Sequence, residues 1–232
     1  MTRSPRGAGP CGLVLSFFAV LLAGCGTLDY TPDLATNELF YVDVPFETKA
    51  PGDVTVFVAP LQDRRDGAEL PLHDKGFPIQ YGTDEFWERP VADMVQDVLD
   101  RQLDQSGLFA SFVTQPKKDT VLLKPSLVMF HVGAQEGMAG SMSFAEVGLR
   151  VEVLGPADAA GERPVWHDHV YGNRQRTEHQ VNPVSPYRLI GRALQVTMSS
   201  ALKGLDGSNV ARSNVPVEVV QPAAAEASAT RR

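Results

Sequence analysis

Hydrophobic and polar residues alternate along two short segments near the start of the chain, a spacing typical of half-buried β-strands. The first predicted strand covers residues 39–46, and the second covers 54–58 and ends before Pro60. The alternating apolar positions of the two strands are Phe40, Val42, Val44, Phe46, Val54, Val56 and Val58. Residues 61–85 are charged and interrupted by Gly and Pro, which predicts a long excursion with a short strand around 77–81.

The spacing of apolar residues then changes to three and four, which predicts an amphipathic helix. Pro90 suits the first helical position, and Gly107 suits a left-handed C-terminal cap. The predicted buried face consists of Val91, Met94, Val95, Val98, Leu99 and Leu103. The opposite face carries Asp93, Asp97, Asp100, Arg101 and Asp104, which we interpret as a solvated surface.

Three longer strands and a second helix follow. The strands are predicted over 119–132, 144–154 and 165–176, with a bulge or edge position at Pro125 and a flexible loop over 133–141. The second helix begins after Ser185 as N-cap, has Pro186 in its first turn and ends at Gly204.

A strand that enters a helix and returns to a strand favours a crossover connection, and the three later strands favour an antiparallel meander. We therefore predict a single α/β (α+β) domain, with a mixed sheet and both main helices on one face.

The segment before this domain has the features of a secretory signal. Arg3 and Arg6 form a basic start, and an apolar run over 13–22 is about half the roughly 20 residues that span a bilayer. Leu22, Ala23, Gly24 and Cys25 resemble the lipobox of bacterial lipoproteins. This resemblance implies recognition of Leu22, Ala23 and Gly24 by the signal peptidase, cleavage before Cys25 and lipidation of Cys25.

Four regions follow from this interpretation: a signal peptide over 1–24, a lipidated start and tether over 25–38, a globular domain over 39–206 and a disordered tail over 207–232. A strand formed by the valines of 215–220 is the alternative for part of the tail. No cofactor is expected apart from the covalent lipid on Cys25. In enterobacterial lipoproteins, a residue other than Asp after the lipidated cysteine favours sorting to the outer membrane. By resemblance, Gly26 favours attachment to the periplasmic face of the outer membrane, with the inner membrane as the alternative.

Charge and cysteine content restrict the chemistry of the mature chain. Because the first 24 residues carry two of the 21 basic residues and none of the 28 acidic ones, cleavage deepens the formal charge from −7 to −9. This charge argues against nucleic acid or anionic lipid as a bulk electrostatic partner. The only cysteines are Cys11, in the signal, and Cys25, so the mature domain has no free thiol.

His167 and His169 are the candidate metal ligands, since alternate strand residues point to one face. With His131 or His179 they would approach a zinc site, but a solvated strand face is the favoured interpretation. No other local pattern predicts catalysis, so we expect a non-enzyme and no resident metal.

Tyr81, Phe86 and Trp87 lie just before the first helix. They are interpreted as packing residues, with an apolar groove for an acyl chain or a partner peptide as the alternative.

Four features resemble the central motif of ABC-type transport auxiliary lipoproteins, the PqiC-like group: Tyr81, the segment 86–91 with sequence FWERPV, the pair Leu99 and Leu103, and the segment 106–109 with sequence SGLF. The resemblance implies a fold like the N-terminal domain of TolB. It also implies a non-enzymatic accessory role beside MCE-type proteins and an ABC transporter in lipid transport or envelope assembly. The alternatives are a structural lipoprotein of a secretion or surface machine and a histidine-based metalloprotein.

Overall fold

A computed structural model describes residues 32–65, 79–80, 82–137, 140–180 and 184–212. The strands are β1 (Thr55–Val58), β2 (Gln62–Asp63), β3 (Ile79–Gln80), β4 (Ser111–Phe112), β5 (Val121–Gly137), β6 (Gly140–Leu154) and β7 (Val165–Gln180). The helices are α1 (Val91–Ser106) and α2 (Pro186–Gly207), and a short 3-10 helix covers Asp84–Phe86.

These strands form one mixed sheet in the order β4-β1-β5-β6-β7, with β2 and β3 also pairing with β5. β1 is parallel to both β4 and β5, so α1 lies in a crossover between parallel strands, as predicted. β5, β6 and β7 form the predicted antiparallel meander. The α/β class with a mixed sheet is therefore confirmed.

Both helices bury an apolar stripe against the same face of the sheet, which confirms their predicted placement. All six apolar positions predicted for α1 are buried. α1 ends at Gly107, whose φ of 65° is the left-handed conformation that a residue without a Cβ adopts at low cost. The sheet residues under the helices are Val121, Leu123, Leu127, Phe130, Val132, Ala145, Val147, Leu149, Val151 and Val153.

A bulge in β5 keeps its apolar residues on this buried face. The pairing with β6 shifts between Leu127 and Met129, so Val128 is the extra residue. Because of this shift, Leu127 and Phe130 both reach the core although they are three positions apart. The predicted irregularity at Pro125 was wrong in position, since Pro125 pairs with Val151 within the ladder.

The predicted strand over 39–46 was wrong. This segment is not part of the sheet but crosses the outer surface of the two helices, where helix side chains satisfy its backbone. Gln102 Oε1 accepts the Val44 amide at 2.9 Å, and Gln195 Nε2 donates to the Val42 carbonyl at 2.7 Å. Of its alternating apolar residues, Phe40, Val44 and Phe46 pack against the core, whereas Val42 is exposed.

The flexible loop predicted over 133–141 is also much shorter than expected. β5 continues to Gly137 and β6 begins at Gly140, and their pairing extends to these two residues. The β-meander ladder continues through this glycine-rich sequence because backbone pairing needs no large side chain.

The packed part of the chain starts earlier and ends later than the sequence pattern indicates. Leu34 is fully buried although it falls in the predicted tether, and Val210 and Ala211 are buried although they fall in the predicted tail. The Asp53 amide donates to the Ala211 carbonyl at 3.0 Å, which attaches the chain after α2 to the start of β1. Residues 213–232 lie outside the described residues.

Gly191 provides a test of how residues 39–46 pack on α2. A Cβ at Gly191 would overlap the Phe40 carbonyl oxygen, whereas a Cβ at Gly207 would meet nothing within 4 Å. We expect Gly191→Ala to lower the free energy of unfolding by about 1–3 kcal/mol, as overpacking does. Gly207→Ala, the matched control, is expected to be neutral or slightly stabilising. Equal effects in urea denaturation would contradict this packing.

Candidate functional site

Leu22, Ala23, Gly24 and Cys25 lie outside the described residues, so their predicted roles stay predictions. The chain enters the described domain at Pro32, whose carbonyl accepts the Glu88 amide at 3.2 Å. Asp33 then holds the entering chain, because its side chain accepts the Ala35 amide at 2.6 Å and the Arg89 guanidinium at 2.9 Å. Within the described part of the chain, neither helix is long and apolar enough to cross a membrane.

Of the predicted aromatic site, Trp87 lies inside the core and Phe86 packs at its margin. Trp87 is 4% exposed, and its ring makes edge-to-face contacts with Phe130 at 5.6 Å and Tyr187 at 5.1 Å. The rings of Phe40 and Tyr187 are also in edge-to-face contact, with their centroids 5.9 Å apart. This stack joins the chain entry, the start of α1, the sheet and the start of α2. Tyr81 lies outside the described residues, and the apolar groove stays a prediction.

An ion-pair network next to this aromatic stack fixes residues 32–48 against α1. Arg101 donates from Nε to both carboxylate oxygens of Asp43 and from a terminal nitrogen to the Ala35 carbonyl at 2.8 Å. These groups line an open depression of about 340 Å³, together with Thr36, Glu38, Tyr41 and Val42. Helical spacing predicts a solvated face for Arg101, and no local pattern identifies Asp43, 58 residues earlier, as its partner.

His167 and His169 lie on the helix-facing side of β7, opposite the buried Val153 and Val151, where His167 is half-buried and His169 is exposed. His167 Nε2 and the Tyr171 hydroxyl are 2.8 Å apart, and the two histidine rings are 6.2 Å apart. Burial, with a further contribution from His169, lowers the pKa of His167 below its usual value of 6.5. Burial also raises the pKa of Tyr171 to about 12. His167 is thus a neutral hydrogen-bonding partner of Tyr171 at neutral pH.

The other histidines do not complete a metal site with this pair. His131 pairs in register with Glu146 on β5 and β6, and its neighbours Phe130 and Val132 face the core, so His131 belongs to the opposite face of the sheet. The side chain of His179 is outside the described residues. Among the described residues, no group of three or more His, Cys, Asp or Glu side chains is placed to hold a metal ion.

Charged residues on the open face of the sheet are paired with each other. Asp168 accepts two hydrogen bonds from Arg150, at 2.7 and 2.5 Å, and these bonds lower the pKa of Asp168. Lys124 and Glu152 lie 3.8 Å apart on the same face. A polar depression of about 220 Å³ on this face is lined by Arg150, Lys124, Glu152, Gln62, Arg64 and Ser126. Such a surface suits contact with water or polar groups.

The charged residues that follow β2, at the start of the excursion predicted over 61–85, include a structural cation. Arg65 contacts Asp63 at 2.6 Å and Asp84 at 3.0 Å and donates to the Gly82 carbonyl at 2.8 Å. Arg65 therefore connects the chain after β2 to the 3-10 helix before α1. Of the α1 aspartates, Asp97 contacts Arg89 at 2.6 Å, and Asp93 and Asp104 are exposed.

No known protein family matches the sequence, and no curated protein matches it. Among solved structures, a Xanthomonas campestris protein of the DUF330 family is 18% identical, with a TM-score of 0.44 over 71% of this chain and 93% of that chain. A minor lipoprotein from Acinetobacter baumannii is 7% identical, with a TM-score of 0.36 over 68% and 94% of the two chains. A lipoprotein from Neisseria meningitidis is 12% identical, with a TM-score of 0.23 over 67% and 99%.

None of these three names describes an enzyme. At TM-scores this low the similarities carry no argument about the activity of this chain, and the PqiC-like assignment stays a prediction.

The aromatic stack gives a prediction about Trp87. Because its ring is buried between the sheet and α2, Trp87→Ala should lower the free energy of unfolding by about 3–5 kcal/mol. Phe86→Ala, at the margin of the same stack, should cost less. Urea denaturation followed by circular dichroism measures both, and a Trp87→Ala variant as stable as the parent would contradict a packing role.

The His167 environment gives a pH-dependent prediction. Since its folded-state pKa lies below 6.5, its contribution to stability is complete above about pH 6.5 and is lost as the pH falls through the folded-state pKa. We expect the melting temperature to fall less between about pH 7 and pH 5 in His167→Phe than in the parent. Asn173→Gln, a non-titrating change on the same strand face, should keep the parental pH dependence. Identical slopes in all three proteins would contradict this environment.

Proposed function

We propose that this protein is a lipid-anchored, periplasm-facing lipoprotein that acts as a non-enzymatic accessory subunit of a transport or envelope-assembly complex. The observation that carries the proposal is the sequence Leu22-Ala23-Gly24-Cys25 behind a basic start and a short apolar run. Two or more acyl chains on one cysteine would attach the domain stably, whereas a single chain binds only reversibly.

The short tether supports a role close to the membrane. Residues 26–31 between Cys25 and Pro32 reach at most about 25 Å when fully extended. Because Asp33 and Leu34 are already fixed in the domain, no further slack is available. A domain held this way works on partners at the membrane surface and does not diffuse away from it.

The use of reactive side chains as structural groups supports a non-enzymatic role. His167 is engaged with Tyr171, and Asp168 with Arg150. The Ser106 hydroxyl donates to the Leu103 carbonyl at 2.6 Å and accepts the Leu108 amide at 3.1 Å, so it closes the end of α1. A nucleophile needs an adjacent base, and Ser106 is occupied with backbone groups.

The finer assignment, to a complex of the ABC and MCE type, rests on the resemblance of 81–91 and 106–109 to PqiC-like lipoproteins. In this assignment the acidic domain binds protein partners, with lipid as a further ligand. Outer-membrane attachment follows from Gly26 by the same kind of resemblance.

The anchor is tested by replacing its cysteine. We expect Cys25→Ser to abolish both the diacylglycerol mass at residue 25 and the cleavage before it, so that the signal segment stays attached to the chain. Cys11→Ser, the matched control in the segment to be removed, should leave both properties unchanged. Intact-mass spectrometry provides the readout. An unlipidated Cys25 in the parent protein would overturn the proposal.

The partner is tested by purification of the full lipidated chain in mild detergent. Recovery of an MCE-type protein or a transporter subunit supports the assignment, whereas recovery of secretion-machine subunits contradicts it. Because the histidines are proposed to be structural, a conservative His169→Gln variant should recover the same partner.

A further inference from the structure

The two helices present opposite charges to solvent although they lie side by side on the sheet. Along α1 the exposed positions include Asp93, Asp97, Asp100 and Asp104. Along α2 the exposed side chains are those of Arg188, Arg192, Val196 and Lys203, spaced along one side of the helix, and Gly207 is exposed at its end. The strongly acidic composition of the whole chain therefore conceals a local basic row.

The basic row of α2 is not neutralised by its own helix or by described neighbours. The only acidic residue of α2 is Asp206, which is 8% exposed and bound to Arg212 at 2.6 Å. Arg188, Arg192 and Lys203 form no ion pair with any residue that the structure describes. Three cations on one helix side thus remain available to an external anion.

Exposed apolar side chains accompany this basic row. Val196 is 41% exposed on α2, and Leu39 and Val42 are 60% and 54% exposed on the segment that crosses the helices. The Val42 carbonyl accepts Gln195 Nε2, and the Phe40 carbonyl lies against Gly191, so this segment follows the exposed side of α2. The acidic side chains of residues 32–48 are Asp33, Glu38, Asp43 and Glu47, of which Asp33 is bound to Arg89 and Asp43 to Arg101.

We propose that the exposed face formed by Arg188, Arg192, Val196, Lys203, Leu39 and Val42, here called the α2 face, lies on the anionic lipid surface to which the protein is anchored. Basic residues at a helix surface with apolar side chains beside them are typical of a face that rests in the headgroup region. The acidic positions of α1 are not part of the α2 face.

The position at which the chain enters the domain supports lipid as the surface that the α2 face contacts. The α2 face includes Leu39 and Val42, which follow Pro32 by only a few residues. The tether in turn keeps Pro32 within about 25 Å of Cys25. Anchoring confines the domain to a small volume above the lipid, so that even a weak surface interaction is populated. This inference rests on the proposed function, since it needs the lipidated Cys25.

Site-specific labels measure the orientation directly. With Cys11 removed and Cys25 lipidated, Val196→Cys carries the only free thiol of the mature chain, and Asp104→Cys on α1 is the matched control position. Each labelled full-length protein is reconstituted into vesicles of phosphatidylethanolamine and phosphatidylglycerol that contain a lipid-borne quencher. We expect strong quenching at position 196 and weak quenching at position 104, with a smaller difference in phosphatidylcholine vesicles or high salt.

Charge variants test the cause of the orientation. A basic residue near an anionic surface contributes about a fivefold factor in binding. Arg188→Gln with Arg192→Gln should therefore reduce the ratio of docked to undocked label by about twenty-fivefold. Lys117→Gln with Lys118→Gln, which removes the same charge from exposed positions before β5, should leave the ratio near the parental value.

The outcomes separate the two proposals. If Cys25 is lipidated but quenching is equal at positions 196 and 104, the proposed contact between the α2 face and lipid is wrong, and the anchor stands. The same holds if the two pairs of charge substitutions reduce the ratio of docked to undocked label equally. An unlipidated Cys25 contradicts the proposed anchor and, because the lipid contact of the α2 face depends on it, that contact as well. Unchanged circular dichroism and melting temperature in every variant exclude misfolding as the cause.

Discussion

The close packing of residues 32–48 across both helices is the contact on which the rest of the structure depends. The Phe40 carbonyl lies against Gly191, where any side chain would intrude, while Gln102 and Gln195 satisfy the backbone of the crossing segment. These bonds replace the ladder that a strand would have formed, so a backbone outside the sheet stays hydrogen-bonded. The segment also connects the start of the domain to both helices at once.

This arrangement fixes the orientation of the domain relative to its entry point. The aromatic stack around Trp87 and the Arg101–Asp43 pair attach the entering chain to α1, the sheet and α2. A tether that ends at Pro32 is therefore connected to a rigid helix layer and not to a loop. In the proposed anchored state, surface charge decides which side of that layer meets the lipid, because the exposed sides of the two helices differ in sign.

Side chains of the types that often serve in catalysis also have structural partners in this domain. His167, Asp168 and Ser106 each serve a neighbouring polar group, and Arg65 holds two segments together. The charged open face of the sheet and the acidic side of α1 are the surfaces left for the partner binding proposed above.

Much of the fold was determined by the sequence alone. The helix periodicity, Gly107 as the left-handed cap and the order of the long strands follow from local rules, and the structure agrees with them. The anchor at Cys25 is likewise a prediction from sequence. Tertiary structure decided the rest: the alternation over 39–46 became a crossing segment because α1 and α2 offered it side-chain partners. It also separated His131 from His167 on opposite sheet faces and gathered Arg188, Arg192 and Val196 beside Val42, because faces and neighbours are set by packing between distant parts of the chain.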